Sequence, residues 1–390
     1  PWERPPSGQP EKVHITEPVP TEAHAVLAQR LFVDKTDLPS PLLNQIKRLA
    51  AFQNPEFYKK QSMRLSTALT PRVVSCAEEF PKHIALPRGC QDELAALLQQ
   101  HGSTLSIDDQ RHPGKPLDVR FKGKLTTIQK QAVDTLRKHD IGVFVAPPGV
   151  GKTVIGTWLI AERHCNTLVL VHRQPLLDQW VAQLALFLGL DAKDIGRIGG
   201  GRHKPNGRLD VAMIQSLVRK ESVNDLVANY GHVIVDECHH LPAVSFERVL
   251  AEVRARFVTG LTATPQRRDG HHPIIQMQLG PVRFTVDARN QAAHRPFNHN
   301  LIIRETGLCL DDDDLRIQEI YRRITTDKQR NNLIFDDVLQ ALEEGRSPIL
   351  LTERKEHLEY FADRLRKFTR NLIVLQGGRS AKRRRDDLSR

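Results

Sequence analysis

The stretch Val143-Phe144-Val145-Ala146-Pro147-Pro148-Gly149-Val150-Gly151-Lys152-Thr153 constrains this chain more than any other. An apolar run that reads as a strand ends in a Gly/Pro loop, and a helical pattern, Val154–Arg163, comes directly after it. This is the P-loop pattern, with Ala146 where Gly is commonest. Its glycines let the backbone come close to an anion, so that successive N–H groups can point at phosphate oxygens. A helix starting at Lys152 adds the partial positive charge of its N-terminus. Lys152 is then placed to reach the β- and γ-phosphates, and Thr153 to offer its hydroxyl to Mg²⁺. The competing reading is a Gly/Pro turn with a surface lysine, and the strand–loop–helix context argues against it.

The surroundings have the matching rhythm. Apolar runs at Ile141–Val145, Leu168–Val171, Leu209–Ile214, Val233–Val235 and Phe257–Leu261 read as buried strands. Helical segments such as Val154–Arg163 and Leu176–Phe187 lie between them. Near-continuous apolar strands alternating with helices argue for a parallel sheet covered on both faces.

A P-loop needs a second carboxylate, at the end of a neighbouring strand, to hold the Mg²⁺ shell. In the stretch from His232 to His240, "HVIVDECHH", Asp236 stands directly after the apolar run. Glu237 is next to it, placed to orient and deprotonate an attacking water. A zinc site is the alternative for a Cys/His-rich stretch. Cys238, His239 and His240 are consecutive, however, and their side chains cannot easily converge on one ion.

Along the chain, residues 1–39 open with "PWERPPSGQPEKVHITEPVP" and are expected to be a Pro-rich linker. Residues 40–112 read as a small α+β module. It has a helix from Ser40, with Leu42, Leu43, Ile46 and Leu49 on one face, and strands near Val73–Cys76, His83–Leu86 and in "STLSIDDQ". "RHPGKP" marks a boundary, and residues 113–285 hold the P-loop unit. Gln266–Asn300 looks like a connector. Residues 286–390 are expected to be part of a second α/β unit, with helices in "DKQRNNLIFDDVLQALEEG" and "RKEHLEYFADRL" and strands at Ile349–Leu351 and Leu372–Leu375.

Composition narrows the function classes. The net charge is +11, which suits a polyanionic partner such as nucleic acid. No apolar run approaches the roughly 20 residues a membrane span needs. The five cysteines are scattered and never spaced C-x-x-C, which fits a reducing cytoplasm rather than a disulfide framework. The chain begins at Pro1 rather than Met, which reads as a fragment or a processed product.

Asp236-Glu237-Cys238-His239 after a P-loop resembles motif II of the superfamily 2 helicases, in the DExH branch. Other segments extend the resemblance over roughly residues 117–378. "LTTIQKQAV" looks like the segment whose glutamine, here Gln129, reads adenine. Thr126 and Ile128 stand where the family usually has Arg and an aromatic. "LVLVHRQPLLDQW" resembles motif Ia, where Arg173 meets the DNA backbone. "VAMIQSL" resembles motif Ib, with Gln215 and Ser216 near phosphates. "GLTATPQRRDG" resembles motif III, whose Thr262 and Thr264 couple the ATP site to the strand-binding face. His239 would link motif II to motif III. "ILLTERKEHLEYFADRL" resembles motif IV of a second RecA-like domain.

The nearest resemblance is to helicases of the transcription-repair type and their bacterial and phage counterparts. Residues 84–111 resemble the DNA-sensing module that precedes the motor there. The resemblance implies an α/β fold with a RecA-like P-loop domain, ATP and Mg²⁺ as cofactors, and DNA as partner. A primase-like or nuclease domain in the same system is a further expectation. The family's motifs V and VI are not found before the chain ends in "KRRRDDLSR", so the second RecA-like domain is expected to be partial. Two alternatives stay open: a fragment that binds ATP and nucleic acid with little turnover, and the motor part of a restriction or defence complex. Asp311–Asp314 reads as an acidic first helical turn, His271 and His272 as connector residues, and Arg383–Arg385 as a solvated basic face.

Overall fold

In Glu22-Ala23-His24-Ala25-Val26-Leu27 the residues Ala23, Ala25 and Leu27, at every second position, are apolar and buried. A period of two is the signature of a half-buried strand, and in the computed structural model this segment is strand β1 (Glu22–Leu27). Strand β2 (Leu31–Asp34) pairs with it. Residues 22–34 therefore do not form the linker expected of them. The structure describes residues 15–219, 222–240, 243–264, 272–287, 300–308, 316–369 and 371–376. The start of the Pro-rich stretch, His271, Asp311–Asp314 and Arg383–Arg385 lie outside the described residues.

The chain divides into two units, residues 1–295 and 296–390. After β1 and β2 the first unit continues with α1 (Ser40–Leu49), β3 (Ala51–Gln53), α2 (Pro55–Ser62), β4 (Val73–Ser75), β5 (Glu78–Glu79), β6 (His83–Leu86), α3 (Gln91–Gln100) and β7 (Thr104–Asp109). Five strands form one sheet in the order β5-β6-β2-β1-β7. Leu42 and Ile46 of α1 and Leu94 and Leu98 of α3 are buried in the cluster that also holds Leu31, Val33, Ile84 and Leu86 of the sheet.

Specific contacts seat this module on the P-loop region. The Arg88 guanidinium is buried and donates to the Ala255 carbonyl at 2.7 Å; burial pulls its pKa down to about 10. A Cβ at Gly89 would lie 2.0 Å from the Gln276 carbonyl oxygen, so only glycine allows this approach. Arg111 bridges Asp109 at the end of β7 to Asp140.

The larger sheet comprises β8 (Ile141–Val145), β9 (Thr167–Val171), β10 (Gly196–Gly199), β11 (Arg202–Lys204), β12 (Leu209–Met213), β15 (His232–Asp236), β16 (Phe257–Thr262) and β17 (Val282–Thr285). A hairpin of β13 (Val218–Arg219) and β14 (Ser222–Val223) stands apart from it. The order is β11-β10-β12-β9-β15-β16-β8-β17, parallel except at the β10–β11 edge. The five apolar runs read from the sequence are five of these strands. Strand β17 lies inside the stretch Gln266–Asn300 expected to be a connector, as does helix α8 (His272–Leu279). The reason is tertiary: Val286 N donates to the Val145 carbonyl, and β17 completes an edge that the short run "VRFT" does not announce.

Helices α4 (Thr127–Leu136), α5 (Lys152–Arg163) and α6 (Gln174–Leu188) bury Val133, Leu159, Trp180 and Leu184 on one face. Helices α7 (Ala243–Glu252) and α8 bury Phe246, Leu250, Ile275 and Leu279 on the other. Each such side chain stabilises the fold by roughly 1.5–3 kcal/mol.

The described part of the second unit is helical: α9 (Ile317–Thr326), α10 (Lys328–Glu343) and α11 (Lys355–Leu365). Phe335, Phe361 and Leu365 form its small core. Asn331 is buried and tied on both sides, donating to the Thr325 carbonyl at 2.8 Å and meeting His357 Nε2 at 2.9 Å. The runs Ile349–Leu351 and Leu372–Leu375 are not strands, contrary to expectation. A strand exists only by pairing, and neither run has a strand neighbour among the described residues.

Candidate active site

The site is built at the carboxyl ends of β8, β15 and β16, the edge where open α/β sheets bind ligands. Strand β8 runs straight into the loop Ala146–Gly151. Gly149 and Gly151 have φ of 90° and 87°, the left-handed region that only glycine enters freely. A Cβ on Gly149 would meet nothing within 4 Å, so the loop's open side admits a close approach. Ala146 and Val150 are buried, Pro147 is half-buried and Pro148 is exposed. Lys152 and Thr153 open α5 directly after Gly151, its N-cap.

Gln129 is buried in the first turn of α4 and holds the loop from behind. Its Oε1 accepts from Thr126 N, closing a capping box, while its Nε2 donates to the Val150 carbonyl at 2.8 Å. A Cβ at Gly151 would come within 2.6 Å of that Nε2.

Strand β15 is buried throughout and ends at Asp236. Glu237 then takes φ 48°, a conformation that costs a non-glycine residue about 1–2 kcal/mol. Its N–H donates to Asp236 Oδ1 at 2.9 Å, and its carboxylate turns back to the P-loop. Glu237 Oε1 lies 3.4 Å from Lys152 Nζ, and Lys152 Nζ also donates to the Ala146 carbonyl at 3.2 Å. Asp236 is 4% exposed, and burial, with the Glu237 charge adding to it, raises its pKa; the Trp180 indole opposes this. That indole, from α6, donates to Asp236 Oδ2 at 2.7 Å.

The third piece is Thr262 at the end of β16, between the P-loop strand and β15 in the sheet. Its carbonyl accepts from Ala146 N at 2.9 Å. Its hydroxyl donates to the Thr264 carbonyl at 2.7 Å, so the same oxygen must accept from His239 Nδ1, also at 2.7 Å. His239 therefore carries its proton on Nδ1. Thr264 itself is exposed, with its N–H returning to Thr262 Oγ1. Cys238 is fully buried, and burial pushes its thiol up to about 12. The side chain of His240 lies outside the described residues.

Arg173, Gln215 and Ser216 are exposed. Gln215 Nε2 donates to the His172 carbonyl at 3.1 Å, which brings Gln215 beside the start of α6. The expected site residues thus gather in two places: Lys152, Thr153, Asp236, Glu237, His239 and Thr262 at the sheet edge, and Arg173 with Gln215 on the surface. Two site residues are given no role by the motifs: Trp180, at the end of the stretch that resembles motif Ia, and Gly156 of α5. A Cβ at Gly156 would stand 2.7 Å from Trp180 Cη2.

The donor set fits a phosphate-bound divalent cation. Oxygens of Asp236 and Thr153 are hard ligands of the kind Mg²⁺ takes, beside a lysine and a helix N-terminus. Glu237 Oε2 is buried with no hydrogen-bond partner among the described residues, and it lies 3.4 Å from His239 Nδ1.

Residues 122–267 match the family described as "Type III restriction enzyme, res subunit". The matched stretch contains the P-loop, Asp236, Glu237, His239 and Thr262. The chain is 29% identical over 166 residues to the DNA 3'-5' translocase XPB2 of Sulfurisphaera tokodaii, covering 43% of this chain and 36% of that protein. It is 33% identical over 186 residues to the DNA 3'-5' helicase XPB of Kineococcus radiotolerans, covering 46% and 32%. It is 27% identical over 226 residues to the probable helicase D10 of Escherichia phage T5, covering 58% and 49%. The matches thus span about a third to a half of these relatives' own length. The UvsW helicase of bacteriophage T4 has the same fold, with a TM-score of 0.53 at 15% identity over 67% of this chain and 99% of that one. No helix among the described residues is long and apolar enough to cross a membrane.

Proposed function

We propose that this chain is the motor of an ATP-dependent DNA helicase or translocase, with ATP hydrolysed at the motor domain using Mg²⁺. The observation that carries the reading is the meeting of Lys152, Asp236, Glu237 and the His239–Thr262 pair at one sheet edge. The loop N–H groups and Lys152 cradle the β- and γ-phosphates. Thr153 and Asp236 would hold Mg²⁺, which would neutralise phosphate charge there. The Lys152–Glu237 pair parts as the phosphates take the lysine, and Glu237 is released to orient and deprotonate water. Gln129 steadies the loop through Val150 and offers its remaining N–H to adenine.

His239, Thr262 and Thr264 relay the state of this site to the strand-binding face. There Arg173, Gln215 and Ser216 meet DNA phosphates, so binding weakens steeply with salt. The names of the XPB-type relatives support DNA as the track. Free thiols at Cys76, Cys90, Cys165 and Cys238 support a cytoplasmic setting. The name of the matching family favours a further reading, in which the motor serves a restriction or defence complex with a nuclease or primase-like partner.

The test is ATP hydrolysis with and without DNA, for the wild type and Lys152→Ala. Stimulation by DNA in the wild type and loss of turnover in the variant are expected. Hydrolysis that ignores DNA, or persists in Lys152→Ala, would overturn the reading.

A further inference from the structure

We propose that Trp180 is a positioning residue for the metal-side carboxylate: its indole N–H fixes Asp236 Oδ2 and so presents the carboxylate to the divalent cation in one orientation. The inference rests on the nucleotide site proposed above and goes beyond it.

Trp180 lies in the middle of α6 and is fully buried. A buried indole N–H needs an acceptor. The acceptor here is an ionisable site group, Asp236 Oδ2, at 2.7 Å, and a hydrogen bond to a carboxylate is about twice as strong as a neutral one. Asp236 Oδ1 takes the Glu237 N–H at 2.9 Å. Each oxygen therefore has one fixed donor, and the carboxylate cannot rotate without breaking both bonds. Its remaining lone pairs are left for a cation and that cation's waters.

The ring is held as closely as the N–H. Gly156, one turn into the P-loop helix α5, leaves the space the ring occupies: a Cβ there would lie 2.7 Å from Trp180 Cη2 and 3.2 Å from Leu261 Cδ1. One side chain thus touches the P-loop helix and the strand end that bears Asp236. Were Trp180 only a filler of volume, phenylalanine would serve as well, and Asp236 Oδ2 would be a buried oxygen without a donor.

The test is binding of a fluorescent ADP analogue, by polarisation, at graded Mg²⁺ concentrations. In Trp180→Phe, binding without metal is expected to be unchanged. The Mg²⁺ concentration needed for metal-dependent binding should rise about 10- to 100-fold, the usual cost of losing a group that orients a metal ligand. Gly156→Ala, which favours the helix while its new methyl displaces the ring, should raise the Mg²⁺ requirement in the same direction. An unchanged Mg²⁺ requirement in these variants would overturn the proposal. Wild-type protein that fails to bind the analogue at all would count instead against the nucleotide site. A third arm leaves Trp180 and Gly156 themselves unchanged. Of the chain's three tryptophans, Trp2 and Trp158 are changed to Phe. Mg²⁺ added to the nucleotide complex should then alter the emission of Trp180, and unaltered emission would contradict the proposal.

Discussion

Val233, Ile234 and Val235 in β15 and Ile349, Leu350 and Leu351 in the second unit are runs of the same kind, apolar residues between amphipathic helices. In the P-loop sheet the run is hydrogen-bonded to β9 on one side and β16 on the other, and every residue of it is buried. In the second unit Ile349 and Leu351 are 86% and 89% exposed. Local propensity is equal in the two places; available neighbours are not. The chemistry shows the same division. A strand pinned on both sides can hold Asp236 and Glu237 to a fixed geometry against the P-loop, whereas an unpaired run can hold nothing.

The comparison breaks first on stability. Ile234→Ala should destabilise the protein by about 2–5 kcal/mol, as for other fully buried large-to-small changes. Leu351→Ala should stay within about 0.5 kcal/mol, as exposed substitutions do. Denaturant unfolding midpoints measure both, and a large cost for Leu351→Ala would mean that the second run is paired after all. On activity, Lys152→Ala should lower ATP turnover by about 10²- to 10³-fold, the range for losing one preorganised charge-stabilising donor. Lys355→Ala, at the exposed start of α11 with a side chain 69% accessible, should leave turnover alone.

A smaller effect separates the sheet's interior from its surface through pH. His232 at the start of β15 is fully buried beside Thr259, and burial lowers its pKa from 6.5 to about 3. It is neutral in the folded protein and takes up a proton on unfolding below pH 6.5. Stability is therefore complete above that pH and falls as the pH drops towards 3. At pH 5 the loss from this residue is about 2 kcal/mol. His232→Gln should shrink the difference between unfolding midpoints at pH 7.5 and pH 5; an equal difference in the two proteins would show that His232 is not the source.

Neighbours also decide how much is legible in the amino-acid sequence. The glycine loop, Lys152, Asp236 and Glu237 are legible because phosphate and metal chemistry demands those residue types at the end of a strand, and both stretches are contiguous. Strand β1 is not, because Ala23 and Ala25 bury little area and dilute the alternation. Strand β17 is hidden because its place is set by β8, more than a hundred residues earlier in the chain, rather than by its own four residues. Trp180 is hidden for a related reason: the acceptor of its indole is 56 residues away. A tryptophan on the apolar face of a helix is the available signal, since its N–H must find a partner once buried. The strands expected in the second unit fail in the opposite sense, because an apolar run announces that a strand is possible and says nothing of its partner.

The most direct test of the central claim, that Asp236 binds and Glu237 activates at the end of β15, is Glu237→Gln compared with the wild type in two assays. Binding of Mg²⁺ and ATP should be retained, while hydrolysis should fall by about 10²- to 10⁴-fold, the contribution of a positioned general base. Hydrolysis at the wild-type rate in Glu237→Gln would contradict the account.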